Sequence, residues 1–286
     1  MEQLGFDFGV EPRPLIRVTP AKLALYDDCP RRYRMTYLDR PTPTRTGPWA
    51  HNTMGAVVHN ALRELFDLPA AERTPERAAS LVGKHWRSAG FADSVQVARY
   101  SEAARRWVAD YVEAGGADVD VVAVERWVSA TTGSDPAAPS LIVEGRIDRV
   151  DRRDAELVVV DYKTGRRPPE NTDAQRSRAL ALYAVAARRT LRAPCSRVEL
   201  HHLPTGTVAA AEHTAETLRE HVREAEEIAT ASHTATDRLR QGGDPDRLFP
   251  ARPAPRCAWC ELRPSCPEGR EAAPSARPWD LLAPMA

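Results

Sequence analysis

Lysine is scarce in this chain, long apolar runs are missing, and the charges cancel. Of 40 basic residues only Lys22, Lys84 and Lys163 are lysines, so general positive charge falls to arginine and each lysine needs a reason of its own. The longest uncharged apolar run, Ala179 to Ala187, falls far short of the ~20 residues that span a bilayer. Met1-Glu2-Gln3-Leu4-Gly5-Phe6-Asp7 holds neither a basic region nor an apolar one, so no secretory signal is expected and the reading is cytoplasmic. No G-x-x-x-x-G-K-[ST] loop occurs, which excludes a nucleotide-driven helicase motor in these residues and leaves a separate helicase partner open. Forty acidic against forty basic residues give no bulk sign of a nucleic-acid partner. Five cysteines, an odd number without a secretory signal, argue against a disulfide framework and for metal or cluster ligation.

With 286 residues, 42 % of them hydrophobic and 28 % charged, the chain can bury a sizeable core. Residues 1–17 read as a flexible tail and 18–270 as a single α/β domain. Within it the pattern gives a helical part at about 18–116, a mixed core at about 117–241 and a cysteine-rich clamp at about 250–268. Residues 271–286 read as a disordered tail. Thr19-Pro20 reads as an N-cap followed by an N1 proline. Val57, Val58, Leu62, Leu65 and Phe66 recur at helical spacing. Strands are expected at 119–128, 141–150, 156–162, 198–203 and 207–211, with helices at 174–190 and 215–241. That order makes a small central mixed sheet flanked by helices.

The informative segment is Glu144-Gly-Arg-Ile-Asp148-Arg-Val, a turn, then Val158-Val-Val-Asp161-Tyr-Lys163-Thr-Gly. Strand alternation points Asp161 and Lys163 one way, Val160 and Tyr162 the other. A hairpin folded about positions 154 and 155 pairs residues whose numbers sum to 309, which sets Asp148 opposite Asp161. Their Cβ atoms would then lie roughly 4.5–5.5 Å apart. Carboxylates so placed repel unless a cation lies between them, and oxygen ligands suit Mg²⁺ or Mn²⁺. Lys163 would add a compact ammonium beside that ion, able to orient water or stabilise charge on a phosphate. An exposed hairpin with surface ion pairs is the competing reading.

Gly-Arg-Ile-Asp148-Arg-Val-Asp followed by Val-Asp161-Tyr-Lys163-Thr-Gly resembles motifs II and III of the PD-(D/E)XK nucleases, most closely the RecB-like exonuclease branch. Gly55-Ala-Val-Val-His59 resembles that branch's upstream histidine helix. The resemblance implies a restriction-endonuclease-like core in which His59, Asp148, Asp161 and the Tyr162 carbonyl hold the metal and Lys163 is catalytic. It also implies a Q-x-x-x-Y helix. Tyr183 fits the tyrosine, but Ala179 stands where the glutamine belongs, and Gln175 lies two turns before Tyr183. His51 and His85 lack such a setting, and His201-His202 face opposite sides of a strand.

Cys257-Ala-Trp-Cys260-Glu-Leu-Arg-Pro-Ser-Cys266 is C-x2-C-x5-C, and a fourth cysteine would complete a set suited to Zn²⁺ or an iron–sulfur cluster. With Cys29 in Asp-Asp-Cys-Pro-Arg-Arg-Tyr, the pattern is similar to nucleases with one cysteine before the core and three after, such as the AddB nuclease domain and CRISPR-associated exonucleases. That resemblance implies a [4Fe–4S] cluster on Cys29, Cys257, Cys260 and Cys266, and leaves Cys195 a free thiol. Arg31, Arg32, Arg166 and Arg167 flank these two sites and are expected, with Tyr183, to contact nucleic acid. Trp127 and Trp259 are candidates to stack bases. The expectation is a metal-dependent deoxyribonuclease, an exonuclease on single strands or DNA ends. The alternative is a catalytically silent iron–sulfur DNA-binding or adaptor protein of the same fold.

Overall fold

Several helices start where the sequence supplies a side-chain cap, as at Thr19, Thr74, Asp93, Ser177 and Thr214. The computed structural model describes residues 15–132 and 140–284; the loop expected at 133–139 and the first fourteen residues lie outside that range. A short strand β1 (Ile16–Val18) leads to Thr19, whose Oγ1 accepts the Lys22 N–H at 3.2 Å and caps α1 (Pro20–Asp28). Cys29 separates it from α2 (Pro30–Tyr37). Then come α3 (Ala50–Phe66), α4 (Pro75–His85) and α5 (Ser94–Tyr111). The strands β2 (Asp120–Thr131), β3 (Leu141–Arg153) and β4 (Glu156–Lys163) follow.

The helix expected at 174–190 is two. α6 (Asn171–Arg176) ends at Ser177, whose hydroxyl accepts the Leu180 N–H at 3.3 Å and caps α7 (Arg178–Leu191). After β5 (Cys195–His202) and β6 (Thr207–Glu212) runs α8 (Ala215–Arg240), then the short α9 (Pro245–Leu248) and α10 (Pro267–Ala272). No helix of the described residues is long and apolar enough to cross a membrane.

The sheet order is β1-β3-β4-β5-β6, with β2 also paired to β3. It is mixed: β1 is parallel to β3 and β4 to β5, while the other pairs are antiparallel. The register of β3 on β4 is the one the hairpin argument gives, with Arg149 opposite Val160 and Val150 opposite Val159. The parallel β1 went unforeseen, because three residues are too few for a period to show.

Helices α3, α4 and α5 cover one face of the sheet, meeting Val158, Val160 and Tyr162 of β4. Helix α7 covers the other, meeting Leu157 and Val159. On β3, however, Ile147 packs into the α7 core while Arg149 lies against Phe66 in the α3 core. Residues two apart in a strand share a face, so the alternation breaks at Asp148. Across from it, Val124 pairs with Arg149 and Arg126 with Ile147, while Glu125 between them takes φ 47°. A left-handed non-glycine residue in mid-strand is strained, and such breaks re-aim side chains beside functional sites.

Residues 273–284 correct the expected disordered tail over the described residues. Trp279 and Leu282 pack on the α3–α5 core, the Ala50 N–H donates to the Pro278 carbonyl at 2.9 Å, and the Tyr100 hydroxyl donates to the Ala283 carbonyl at 2.9 Å. Proline and alanine suggested a solvated tail, but two apolar anchors suffice to dock it.

Behind β4 the fully buried Arg149 binds Asp151 through Nη2 at 2.9 Å and the Tyr111 and Tyr162 hydroxyls through Nη1, each at 2.9 Å. Its guanidinium lies 4.6 Å from the Phe66 ring centroid. Burial alone would lower its pKa, but the surrounding tyrosines and Asp151 hold it raised. Removing one partner of a buried pair strands the other. Arg149→Met should therefore cost about 3–5 kcal/mol in urea unfolding, and adding Asp151→Leu should recover much of that loss.

Candidate metal centre

Four elements converge on Asp148. Its Oδ2 accepts the Tyr162 N–H of β4 at 3.0 Å and lies 3.3 Å from Nδ1 of His59, two turns into α3. The other imidazole nitrogen, Nε2, lies 3.2 Å from the Tyr162 carbonyl. Glu125 reaches the same place from β2. One ligand atom each from His59, Glu125 and Asp148 lie within 4.8 Å of one another, the one such group among the described residues. Glu125 is a site residue that sequence reasoning missed. Its signal was a lone carboxylate inside Val-Val-Ala-Val-Glu-Arg-Trp, a strand otherwise apolar up to that point.

Asp161 and Lys163 project from β4 beside this group and make an ion pair with each other. Asp161 Oδ2 is buried and meets Lys163 as an ion pair without a formed hydrogen bond. Asp161 therefore does not join the three-residue group as expected; it stays turned to Lys163. The Tyr162 N–H donates to one oxygen of the Asp148 carboxylate, Oδ2.

Burial pushes the Asp161 carboxyl up, against the pull of Lys163 and with the help of the Asp148 charge. Burial also acts upward on Asp148, but the His59 hydrogen bond and charge and the Tyr162 amide outweigh it and hold the carboxyl down. Burial acts downward on His59, yet Asp148 and then Asp161 raise it above its ordinary value. Glu125 is raised by burial, although Arg146 Nε stands 2.6 Å from its Oε2. Three carboxylates thus share one region with too little fixed positive charge to balance them.

These residues open on a cleft lined also by Gly55, Trp127, Gly145, Arg146 and Tyr183. Gly145 is required here: a Cβ on it would stand 2.7 Å from Tyr183 Cε1. Burial pushes the Tyr183 hydroxyl up to about 12. Gln175 is exposed on α6, outside the cleft, so it does not stand in for the missing glutamine.

Cys29, Cys257, Cys260 and Cys266 line one cavity, with Arg31, Arg32, Met35 and Trp259. No three of the sulfurs lie within 4.8 Å of one another, whereas tetrahedral bonds of ~2.3 Å to a single zinc would set sulfurs about 3.8 Å apart. They are not gathered for a single ion. Cys266 Sγ accepts the Gly269 N–H at 3.4 Å, and burial pushes the Cys260 and Cys266 thiols up. Cys195 is buried at the start of β5, away from the rest.

The arginines are less available than expected. Arg31 is 8 % exposed and bonds Glu268 at 2.7 Å and Asp246 at 3.2 Å, so its charge joins the chain's two ends and offers no free face to a phosphate. Arg32 pairs with Glu261 at 2.7 Å. Arg166 donates to the Asp280 carbonyl at 2.9 Å, and Arg167 bonds Asp173 at 2.9 Å. His201 and His202 face opposite ways as expected, one to Glu199 and Tyr111, the other to Gly165 and Thr205.

Residues 17–267 match the family model of the PD-(D/E)XK nuclease superfamily. The chain belongs to that superfamily. His59, Glu125 and Asp148 form the one group among the described residues that could hold a metal ion. No curated protein matches. Among solved structures it is similar to the crystal structure of SSO0001, at 14 % identity and a TM-score of 0.38, covering 90 % of this chain and 88 % of that one.

A metal takes the neutral imidazole, so binding must displace the His59 proton. His59 titrates above its ordinary value; below its raised pKa, Mn²⁺ affinity should climb with pH by up to about tenfold per unit and then level off. Calorimetric titration should show proton release that His59→Gln abolishes. Glu125→Gln should weaken Mn²⁺ binding about tenfold or more, while the Glu125-independent ion pair of Asp161 and Lys163 persists.

Proposed function

We propose that this chain is a metal-dependent deoxyribonuclease of the RecB-like branch, acting exonucleolytically on single-stranded DNA or DNA ends. The observation that carries the reading is the juxtaposition of His59, Glu125 and Asp148 with the Asp161–Lys163 pair in a PD-(D/E)XK chain. The donor set of two carboxylates, one imidazole and the neighbouring Tyr162 carbonyl fits Mg²⁺ or Mn²⁺. When bound, such an ion supplies Lewis-acid stabilisation of the phosphate and lowers the pKa of a coordinated water.

The chain's own residues do the rest. His59 and Asp148 fix each other's orientation through the 3.3 Å contact, and the Tyr162 amide holds Asp148 against rotation. Lys163, its side chain about half exposed, can leave Asp161 and donate to a non-bridging phosphate oxygen, where negative charge builds during attack. Asp161, raised by burial, is freed by the same exchange to accept a proton from the attacking water. Tyr183 closes the opposite wall of the cleft.

A [4Fe–4S] cluster is the cofactor proposed for the cavity that Cys29, Cys257, Cys260 and Cys266 line together, a cluster being larger than a single ion. Its place between residues 28–34 and 250–268 suits a structural clamp.

End-labelled single-stranded and duplex DNA should lose terminal nucleotides with Mg²⁺ or Mn²⁺. Asp161→Ala and Lys163→Ala should reduce turnover by about a thousandfold while DNA binding persists; full activity in both would overturn the assignment. Anaerobically purified protein should be brown and contain iron, and Cys257→Ser should be colourless; zinc at stoichiometry without iron would exclude the cluster.

A further inference from the structure

Six tryptophans divide sharply by environment. Trp86, Trp107 and Trp279 pack on the α3–α5 core and Trp49 is buried. Trp259 lines the cysteine cavity. Trp127 is 61 % exposed and belongs to none of the three apolar cores of the described residues. An indole left in water forgoes a large burial gain, and this one stands on the wall of the metal cleft, with Glu125 two residues before it.

Its surroundings are those of a ligand contact. Trp127 pairs across the strands with Arg146, whose side chain is 58 % exposed and whose Nε holds Glu125. Gly145, next along β3, keeps the floor low enough for the Tyr183 ring to enter. β2 is an edge strand, and Trp127 stands among the exposed large hydrophobic residues. A flat aromatic face, a guanidinium and a carboxylate cluster thus succeed one another along one wall.

We propose that Trp127 is a stacking platform for one unpaired nucleobase next to the scissile phosphate, with Arg146 facing the adjoining backbone. A base in a duplex is already stacked on both faces, so the platform takes bases from single strands or frayed ends. Every base has a π-face, so the contact selects for strandedness and not for sequence. This reading rests on the proposed nuclease activity for its meaning but not for its measurement, since stacking is a binding event.

The test is the affinity of a short labelled oligothymidylate by anisotropy with Ca²⁺ present, for the full chain and for Trp127→Ala and Trp127→Phe. Loss of one stacked base corresponds to about a tenfold to hundredfold weakening; Trp127→Ala should show it, and Trp127→Phe should recover most of it. An abasic step scanned along the oligomer should cost the wild type as much at one position, and cost Trp127→Ala nothing more there. Equal affinity in Trp127→Ala, or additive losses at every position, overturns the platform. So does loss of a dimer in Trp127→Ala with unchanged oligothymidylate affinity, which makes the indole an interface residue. Cleavage by the wild type without coupling leaves the nuclease reading standing and removes this one; coupling without cleavage by the wild type does the reverse.

Discussion

The arrangement depends on one local irregularity, the break in strand alternation at Asp148. A regular β3 cannot send Ile147 into one core, Asp148 into the cleft and Arg149 into the other core. Because it breaks there, a carboxylate that needs solvent and a guanidinium that is wholly buried occupy successive positions. The cost is a left-handed Glu125 on the facing strand. The strain falls where the chain also concentrates negative charge, which is where tolerance of it has a chemical return.

The two faces of β4 divide the labour in the same way. Asp161 and Lys163 pair with each other; Tyr162, between them, is anchored by Arg149. The Tyr162 backbone in turn touches both Asp148 and His59. A buried cation–tyrosine network with no access to substrate therefore fixes the peptide unit on which two site residues hang. Further along, His201 and Glu199 extend that network to Arg153 and Arg197 at the surface, while Arg149 Nε and Asp151 Oδ1 meet as an ion pair at 2.8 Å without a formed hydrogen bond.

Much of this was legible in the sequence because it is periodic or paired. The 309 register followed from one turn and held over five residue pairs, and capping at Thr19 followed from side-chain chemistry alone. Glu125 was not legible, because a single carboxylate in a strand carries no period and its place is set by the pairing of β2 with β3. The partners of Arg31 and Arg32 were hidden for a related reason. An arginine run looks the same whether it faces a phosphate or carboxylates more than 200 residues away, and here Glu268 and Glu261 take it. The fold was written in local pattern, and the exceptions are contacts that only the closed chain makes.

The docking of residues 273–284 gives the helix that bears His59 an unusual dependence. α3 begins at Ala50, and its first amide donates to the carbonyl of Pro278, while Trp279 and Leu282 pack on the core beneath it. The His59 imidazole sits nine residues further along the same helix. The placement of a candidate metal ligand is thus joined, through one helix, to the docking of a segment more than two hundred residues later.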